Sequence, residues 1–385
     1  MKEIYLDYAA ATPLDPRVLK EMDPFLHRKF GNPSSFHAPG LEAKDALDQA
    51  RIRVASLLHC EPTEIIFTGS GTESINLALK GCARVRKKKG NHIITTAVEH
   101  EAVLKSLSYL EEKEGVHVTI LPVDCYGRIS LSAIEKAITK KTILISIIFA
   151  NNEIGTLNPI EKIARIAKKR KIAFHTDACQ AAASQSLDVK KLGVDLLSIN
   201  AAKISGPKGV GLLYKRKDVQ IDPVVHGGGQ EWELRAGTEN VAGIVGFAKA
   251  LELAQEEKVK ETPRLEKLRD KLSTTILTKI PNCKLNGDPK NRLPNNVNIS
   301  FRDIDAEELL LLLNKEKIYA SSGSACATHT SEKSHVLTAI GIPESYAKGT
   351  IRFSLGKETT DTDIDKVISV LEKSVNQLRQ KRYTP

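Results

Sequence analysis

The sequence predicts an α/β protein whose large domain holds a mostly parallel sheet between helices, with a smaller α+β domain after it. Short, fully apolar runs alternate with helical patterns through the first 214 residues of the 385-residue chain. Runs of this kind are typical of parallel strands that are buried on both faces. The rhythm changes around the sequence GGGQ at 227–230, and mixed helix and strand patterns follow. We therefore predict a domain boundary near residue 258.

The elements of the large domain follow one another in a regular order. Strands are predicted at 64–67, 92–95, 117–121, 142–149, 172–174, 196–199 and 210–214. Helices are predicted at 74–84, 102–112, 131–138, 160–170 and 241–257, and a last helix at 361–379. Polar and glycine-rich clusters follow several of the strands. Because ligands of parallel sheets bind at the carboxyl ends of the strands, we expect the functional site along that edge.

Composition sets limits on the class of protein. The chain is 41% hydrophobic and 27% charged, which is typical of a globular protein with a large core. No apolar run reaches membrane-spanning length, and the first residues show neither a secretory nor a transit pattern, so we expect a cytoplasmic protein. Six cysteines are scattered without a Cys-x-x-Cys pair. This pattern favours reduced thiols over a disulfide framework or a zinc site.

A basic cluster, RVRKKKG at 84–90, carries part of the net charge of +10. Such a cluster could bind nucleic acid. However, no aromatic residues interleave the basic ones, and cations at the end of a helix complement its dipole. We therefore expect no nucleic-acid partner and no membrane partner.

Two charged residues at strand ends indicate a cofactor. Lys203 follows the predicted strand 196–199 and precedes a glycine-rich turn, and Asp177 follows the strand 172–174. An enzyme that uses pyridoxal 5'-phosphate (PLP) needs a lysine to hold the cofactor as a Schiff base. It also needs an acid that keeps the pyridine nitrogen protonated. Lys203 alone could equally be a surface lysine.

Two further strand ends carry polar residues that suit such a site. The sequence TGSGTES at 68–74 lies between a strand and a helix, where Gly71, Thr72 and the helix amides could hold a phosphate. Its spacing matches neither a Walker loop nor a Rossmann fingerprint. His100 ends another strand and could move protons or stack on a ring, although a packed histidine is the simpler interpretation.

Three further residues, which lie in later parts of the chain, could bind or attack a substrate. Asn152, in NNEIG at 151–155, could bond a cofactor hydroxyl or a carboxylate, or simply form a turn. Arg352, in a strand-like run, could offer a bidentate fork to a carboxylate or form a structural salt bridge. Cys326 lies in the small-residue segment SSGSAC at 321–326, which is typical of an accessible, reactive thiol.

Taken in order, these motifs resemble the cysteine desulfurases of the iron–sulfur cluster assembly type, in the class V branch of fold-type-I PLP enzymes. The resemblance covers nearly the whole chain and rests on YLDYAA at 5–10, GNPSS at 31–35, GSGTES at 69–74, EH at 99–100, NNEIG at 151–155, HTDACQ at 175–180, GPKG at 206–209, GGGQ at 227–230, RAGT at 235–238, SGSAC at 322–326 and IRFSLG at 351–356. It implies the PLP-dependent transferase fold type I. The large PLP-binding domain would span 14–258, and residues 1–13 would join 259–385 in a small domain that carries the catalytic cysteine loop.

The resemblance also implies a role for each residue of the cofactor site. Lys203 would form the Schiff base, Asp177 would pair with the pyridine nitrogen and Gln180 with the ring hydroxyl. His100 would stack on the ring and carry protons. Thr72, together with Gly71 and Asn200, would hold the cofactor.

The remaining implied roles concern the substrate and the partners. Asn152 and Arg352 would bind the carboxylate of L-cysteine, and Thr238 would reach the phosphate in the neighbouring subunit of a homodimer. Cys326 would attack the substrate sulfur. L-cysteine would thus become L-alanine through a PLP ketimine and a Cys326 persulfide, which would pass sulfur to an iron–sulfur cluster scaffold or another acceptor protein.

The chain departs from the family pattern beside the lysine. Asn200 and Ala202 occupy positions where serine and histidine are the common residues, and Ala202 has no polar side chain for the phosphate. We expect PLP to be held more weakly or differently, which a PLP titration of wild type against an Ala202→His variant tests. A weakly PLP-binding scaffold for sulfur-transfer partners, or a selenocysteine lyase, are the alternatives. A second departure is Trp232–Glu233 in the loop 230–238, which we expect to reshape either the rim of the site or the dimer interface.

Overall fold

The computed structural model describes residues 2–323 and 334–382. The strands are β1 (Ile4–Tyr5), β2 (Ile65–Thr68), β3 (His92–Thr96), β4 (His117–Leu121), β5 (Thr142–Ser146), β6 (Ala173–Asp177), β7 (Leu196–Asn200), β8 (Gly211–Lys215), β9 (Cys283–Leu285), β10 (Asn296–Phe301), β11 (Ile318–Tyr319) and β12 (Thr350–Ser354). The helices are α1 (Pro16–His27), α2 (Ala38–Leu58), α3 (Gly71–Arg86), α4 (Glu101–Glu114), α5 (Leu131–Ala137), α6 (Ile160–Lys169), α7 (Val189–Leu192), α8 (Val241–Lys279), α9 (Ala306–Lys315), α10 (His335–Ala339), α11 (Glu344–Ala347) and α12 (Asp361–Arg382).

A seven-stranded sheet forms the centre of the molecule, in the order β2-β8-β7-β6-β5-β3-β4. The strands from β4 through β7 are parallel, and β8 runs antiparallel to both of its neighbours. The reversal has a local cause, because only residues 201–210 join β7 to β8, which is shorter than the helical crossover that a parallel pair needs. The predicted α/β class with a mostly parallel sheet is confirmed.

Both faces of this sheet are covered by apolar layers. Side chains alternate along β7, so that Leu196 packs in the layer containing α3 and α4, whereas Leu197 and Ile199 pack in the layer containing α2, α6 and the first half of α8. This two-sided burial is the reason that the strands read as continuous apolar runs.

The second part of the chain builds a smaller antiparallel sheet in the order β12-β10-β9, and β1 pairs with β11. Its core includes Ile4 and Leu6 from the start of the chain together with α9 and α12. Helix α8 runs through residue 258 to Lys279, well beyond the predicted end at 257. The charged stretch 256–262 lies in the solvated middle of this helix and does not end it. The division at 14–258 remains a prediction.

The carboxyl ends of the parallel strands meet at one edge of the large sheet. There β3 ends at Thr96, β5 at Ser146, β6 at Asp177 and β7 at Asn200. The predicted strand 142–149 is longer than β5, which ends at Ser146, although the Ile147 and Phe149 amides still donate to the His175 and Asp177 carbonyls of β6. Among the described residues, no helix is long and apolar enough to cross a membrane.

Candidate active site

A cavity of about 240 Å³ opens at this carboxyl edge. It is lined by Ala9, Ala10, Gly71, Thr72, Ile75, His100, Ile148, Asn152, Asp177, Cys179, Gln180, Asn200, Lys203 and Arg352. The predicted site residues therefore converge in space, with two exceptions. Thr238 is exposed and does not line the cavity. Cys326 lies outside the described residues, so its position stays a prediction.

Lys203 enters the cavity from the turn that follows β7. It ends a short 3₁₀ helix, Ala201–Lys203, which Asn200 caps by accepting a hydrogen bond from the Ala202 amide at 3.2 Å. The Lys203 Nζ donates to the Ala9 carbonyl at 2.9 Å and also to the Ala10 carbonyl. The amine is thus held by neutral carbonyl groups from the start of the chain, at the cavity wall.

Asp177 ends β6 beside this lysine and is 4% exposed. Its Oδ1 accepts from the Cys179 amide at 2.9 Å, and Gln180 Nε2 donates to the same Ala9 carbonyl as Lys203, also at 2.9 Å. Two residues earlier, burial lowers the pKa of His175 to about 4. At neutral pH this histidine is uncharged and therefore gives Asp177 no counter-charge.

The first turn of α3 supplies an anion cradle. Ser70 caps the helix by accepting from the Glu73 amide at 3.1 Å, and Gly71 begins it. A Cβ at Gly71 would lie 2.7 Å from the Cys179 sulfur and 3.2 Å from the Asn200 Cβ. Only glycine therefore lets the helix start close to the cavity, where its amides and dipole favour a phosphate.

His100 caps α4 and faces the same cavity. Its Nδ1 accepts a hydrogen bond from the Ala102 amide at 3.0 Å. The accepting nitrogen carries no proton, so a neutral ring carries its proton on Nε2. The cap thereby fixes the tautomer of the ring that we expect to move protons.

Arg352 crosses from the smaller sheet into the cavity and is 2% exposed. It donates to Asp7 Oδ1 at 2.9 Å and to the Asn152 carbonyl at 3.0 Å. Within the described part of the chain, its buried Nε has no hydrogen-bond partner. A buried guanidinium donor without an acceptor is costly, which suits a site that completes itself with a carboxylate ligand.

Glu99 is a buried residue of this edge to which sequence reasoning gave no role. Its Oε1 accepts from Thr96 Oγ1 at 2.6 Å and from the Ile148 amide at 3.1 Å, and no described residue bonds its Oε2. Burial, with a smaller contribution from the charge of Asp177, raises the pKa of Glu99 to about 8. Glu99 is therefore mainly neutral at pH 7. The only sequence signal was its place next to His100.

These groups fit PLP in number and kind. The cavity offers an amine, a buried carboxylate, an imidazole and a helix start that a Cβ would block. These are the groups that a PLP site requires for the aldehyde, the ring nitrogen, the ring face and the phosphate. Within residues 2–323 and 334–382, no cluster of three or more His, Cys, Asp or Glu is arranged to hold a metal ion.

Comparisons with known proteins agree with this geometry. The family model described as "Aminotransferase class-V" matches residues 4–367. A cysteine desulfurase IscS of Clostridium botulinum is 50% identical over 381 residues, covering 98% of this chain and 96% of the relative.

Two solved structures are also similar. A NifS-like protein has a TM-score of 0.92 and 41% identity, over 98% of this chain and 100% of its own. A structure described as SspA in complex with cysteine has a TM-score of 0.79 and 37% identity, over 92% of this chain and 99% of its own.

Proposed function

Because the chain belongs to the class-V aminotransferase family, and within it to the cysteine desulfurases, we propose that the cavity at the carboxyl edge is where this PLP-dependent enzyme removes sulfur from L-cysteine. The observation that carries the proposal is that Lys203, Asp177, His100 and Arg352 all line one cavity. They come from distant parts of the sequence, and a surface lysine or a structural salt bridge would not require them to meet.

The cofactor would be held from three sides. Lys203 would form the Schiff base, Asp177 would hold the ring nitrogen protonated, and the first turn of α3 with Thr72 would bind the phosphate. Gln180 would reach the ring hydroxyl, and Asn200 would stand beside the phosphate turn. PLP, when bound, supplies an electron sink that acidifies the Cα proton of an amino acid.

Arg352 would hold the substrate carboxylate together with Asn152. Its guanidinium is already oriented by Asp7 and by the Asn152 carbonyl, and among the residues that the structure describes Nε finds no acceptor. Once the substrate amine replaces it, the freed Lys203 amine would take the Cα proton. His100, with its proton on Nε2, would carry protons at the ring face.

Cys326 would then accept the sulfur. Its thiolate would form a sulfur–sulfur bond with the substrate while the carbon–sulfur bond breaks. The electron pair of the broken bond stays with the carbon skeleton. This takes up at Cβ the proton that the Cys326 thiol had released, and it leaves as L-alanine. The enzyme keeps a Cys326 persulfide, so that atoms and electrons balance without an outside oxidant.

Partners and location complete the proposal. Thr238 is exposed on the loop that Arg235 ties to Glu73 through a 2.7 Å ion pair, which supports a role towards a second subunit of a homodimer. Sulfur would pass to acceptor proteins such as an iron–sulfur cluster scaffold. Free thiols at the five described cysteines are consistent with the reducing cytoplasm, where we place the protein.

One experiment tests the function directly. Purified protein loaded with PLP should show the visible absorbance of a lysine-bound cofactor and release alanine when L-cysteine is added. Cys326→Ser should keep that absorbance and lose the persulfide. A protein that stays colourless with added PLP and makes no alanine would overturn the proposal, and faster turnover of selenocysteine would redirect it to that substrate.

A further inference from the structure

The two described flanks of the segment that carries Cys326 meet at one buried side chain. The chain is described up to Gly323 and again from Ser334. Ser334 bonds the carboxylate of Glu153, and Gly323 lies close enough to it that an added Cβ would be 3.3 Å away. Glu153 is 1% exposed and follows Asn152 in the turn after β5. No step of the reaction proposed above uses it.

The second flank is held by one carboxylate and one backbone carbonyl, each from a residue next to one that lines the cavity. Ser334 caps α10 by accepting from the Leu337 amide at 3.2 Å, and its hydroxyl donates to Glu153 Oε2 at 2.6 Å. The next residue, His335, has its Nε2 2.9 Å from the Glu99 carbonyl. A carbonyl only accepts, so Nε2 is the donor in this bond.

The first flank is held by the strand that carries Arg352. Ser321 exchanges two backbone hydrogen bonds with Arg352, at 2.7 Å and 3.2 Å. Gly323 has φ +122°, and a Cβ there would lie 3.3 Å from Glu153 Oε2. The same carboxylate oxygen therefore lies close to the chain just before the segment and accepts a hydrogen bond from the chain just after it.

Glu153 is itself fixed by the surrounding backbone and amides. Its amide donates to Asn151 Oδ1 at 2.9 Å. Its carbonyl accepts from Asn296 at 3.0 Å and from Asn298 at 3.1 Å. The preceding carbonyl, that of Asn152, accepts from Arg352. One turn thus bonds both the proposed carboxylate-binding arginine and the second flank, and it lies close to the first flank.

We propose that Glu153 is a positioning residue that holds the Ser334 end of the Cys326 segment, close to its Gly323 end, at a constant distance from the Arg352 site. The inference rests on the proposed roles of Cys326 and Arg352. Positioning of this kind raises the rate of the step in which the two sulfur atoms must meet, because a misplacement of about 1 Å costs roughly 10²-fold. It leaves the binding of PLP and cysteine unchanged.

The test compares persulfide formation with binding in the PLP-loaded enzyme. For Glu153→Ala we expect Cys326 persulfide to form roughly 10- to 100-fold more slowly in a single turnover, measured by mass spectrometry of alkylated protein. The titration of the visible absorbance with L-cysteine should stay within about twofold of wild type, since only positioning is lost.

Two matched variants keep the test decisive. Ser334→Ala removes the same hydrogen bond from the other side and should slow the same step, even if Glu153→Ala does not fold. Ser130→Ala removes a serine cap from α5 away from the cavity and should leave the rate unchanged. In a Cys326→Ser background, Glu153→Ala should cause no further loss of residual alanine release.

Each outcome distinguishes the inference from the proposed function. If wild type forms no persulfide at Cys326, the function proposed for Cys326 fails. If wild type forms it and both Glu153→Ala and Ser334→Ala form it at the same rate, the positioning role is wrong. An equal loss in cysteine binding and in persulfide formation would also overturn it, since that would mark a general structural defect.

Discussion

The two edges of the large sheet use charged and polar residues in opposite ways. At the carboxyl edge, strands end in buried polar groups such as Thr96, Ser146 and Asp177, next to the cavity. At the amino edge the same strands are preceded or followed by exposed cations: Lys87, Lys88, Lys89, Lys140, Lys141, Lys168, Lys169, Arg170, Lys171, Arg216 and Lys217. These are eleven of the chain's 57 lysines and arginines, and they lie away from the cavity.

The difference shows which charges report on function. A buried cation pays a desolvation cost and persists only with specific acceptors, as Arg352 does with Asp7 and the Asn152 carbonyl. An exposed lysine loses little hydration and needs no partner. The many cations at the amino edge therefore indicate only that this edge is solvated. At the carboxyl edge, the few buried polar groups that meet in one cavity indicate where the reaction takes place.

The sharpest way to break this contrast is Lys203→Ala. Removing the amine that holds PLP and serves as general base should lower alanine production by roughly 10²–10⁴-fold or more, and should abolish the lysine-bound absorbance. Lys208→Ala is the matched control, because Lys208 is exposed on the same loop. Equal activity in the two variants would mean that Lys203 is an ordinary surface lysine.

A smaller effect is expected for Arg352→Lys, which keeps the charge but loses the planar fork. Hydrogen bonds to charged groups contribute about 1.5–3 kcal/mol, so the KM for L-cysteine should rise roughly 10- to 100-fold. We expect kcat to change less, since binding is what is lost. Steady-state kinetics measure both, with the exposed Arg302→Lys as control. A lower kcat at constant KM would contradict the carboxylate-binding role.

Glu99 makes the carboxyl edge sensitive to pH. Its pKa is about 8 in the folded protein, against the ordinary glutamate value of 4.5, so the folded state holds one more proton between these pH values. The contribution of Glu99 to the free energy of unfolding is therefore fully present below pH 4.5. It falls by about 1.4 kcal/mol per pH unit as pH rises towards 8. Glu99→Gln should remove this slope.

Urea unfolding from pH 5 to pH 8 measures the difference between Glu99→Gln and wild type. The exposed Glu135→Gln serves as control and should follow wild type. Parallel curves for wild type and Glu99→Gln would show that Glu99 is ionised in the folded protein. Activity at pH 7 should be largely retained in Glu99→Gln, because the amide keeps an acceptor for Thr96 and the Ile148 amide.

Sequence patterns predicted the carboxyl edge well because local physics determines it. Apolar runs mark strands that are buried on both faces, and the polar residues that end them must then lie on one edge. Lys203, Asp177 and His100 could thus be placed together before any coordinates. The class and the family were also predicted correctly, from motifs in a fixed order.

Other features could not be predicted because they depend on contacts between distant segments. Helix α8 continues to Lys279 because apolar residues such as Leu268 and Leu272 pack in the second core, while the charged residues before them mark only a solvated turn. The raised pKa of Glu99 follows from complete burial, which no local pattern reveals. Glu153 acquires its neighbours Gly323 and Ser334 only through the fold.

The smallest effect is expected at the amino edge, where replacing Lys87, Lys88 and Lys89 with glutamate lowers the formal net charge from +10 by six, to +4. Strands of five residues, such as β5, separate the two edges by about 16 Å, which is two Debye lengths at physiological salt. L-cysteine is a zwitterion, so steering by the distant cations is weak. We expect kcat/KM within about twofold of wild type and stability within about 0.5 kcal/mol.

A large loss of activity at physiological salt that is restored by further salt would show that the amino edge takes part in the reaction. Salt-dependent binding of RNA by wild type alone would show that these lysines bind polyanions.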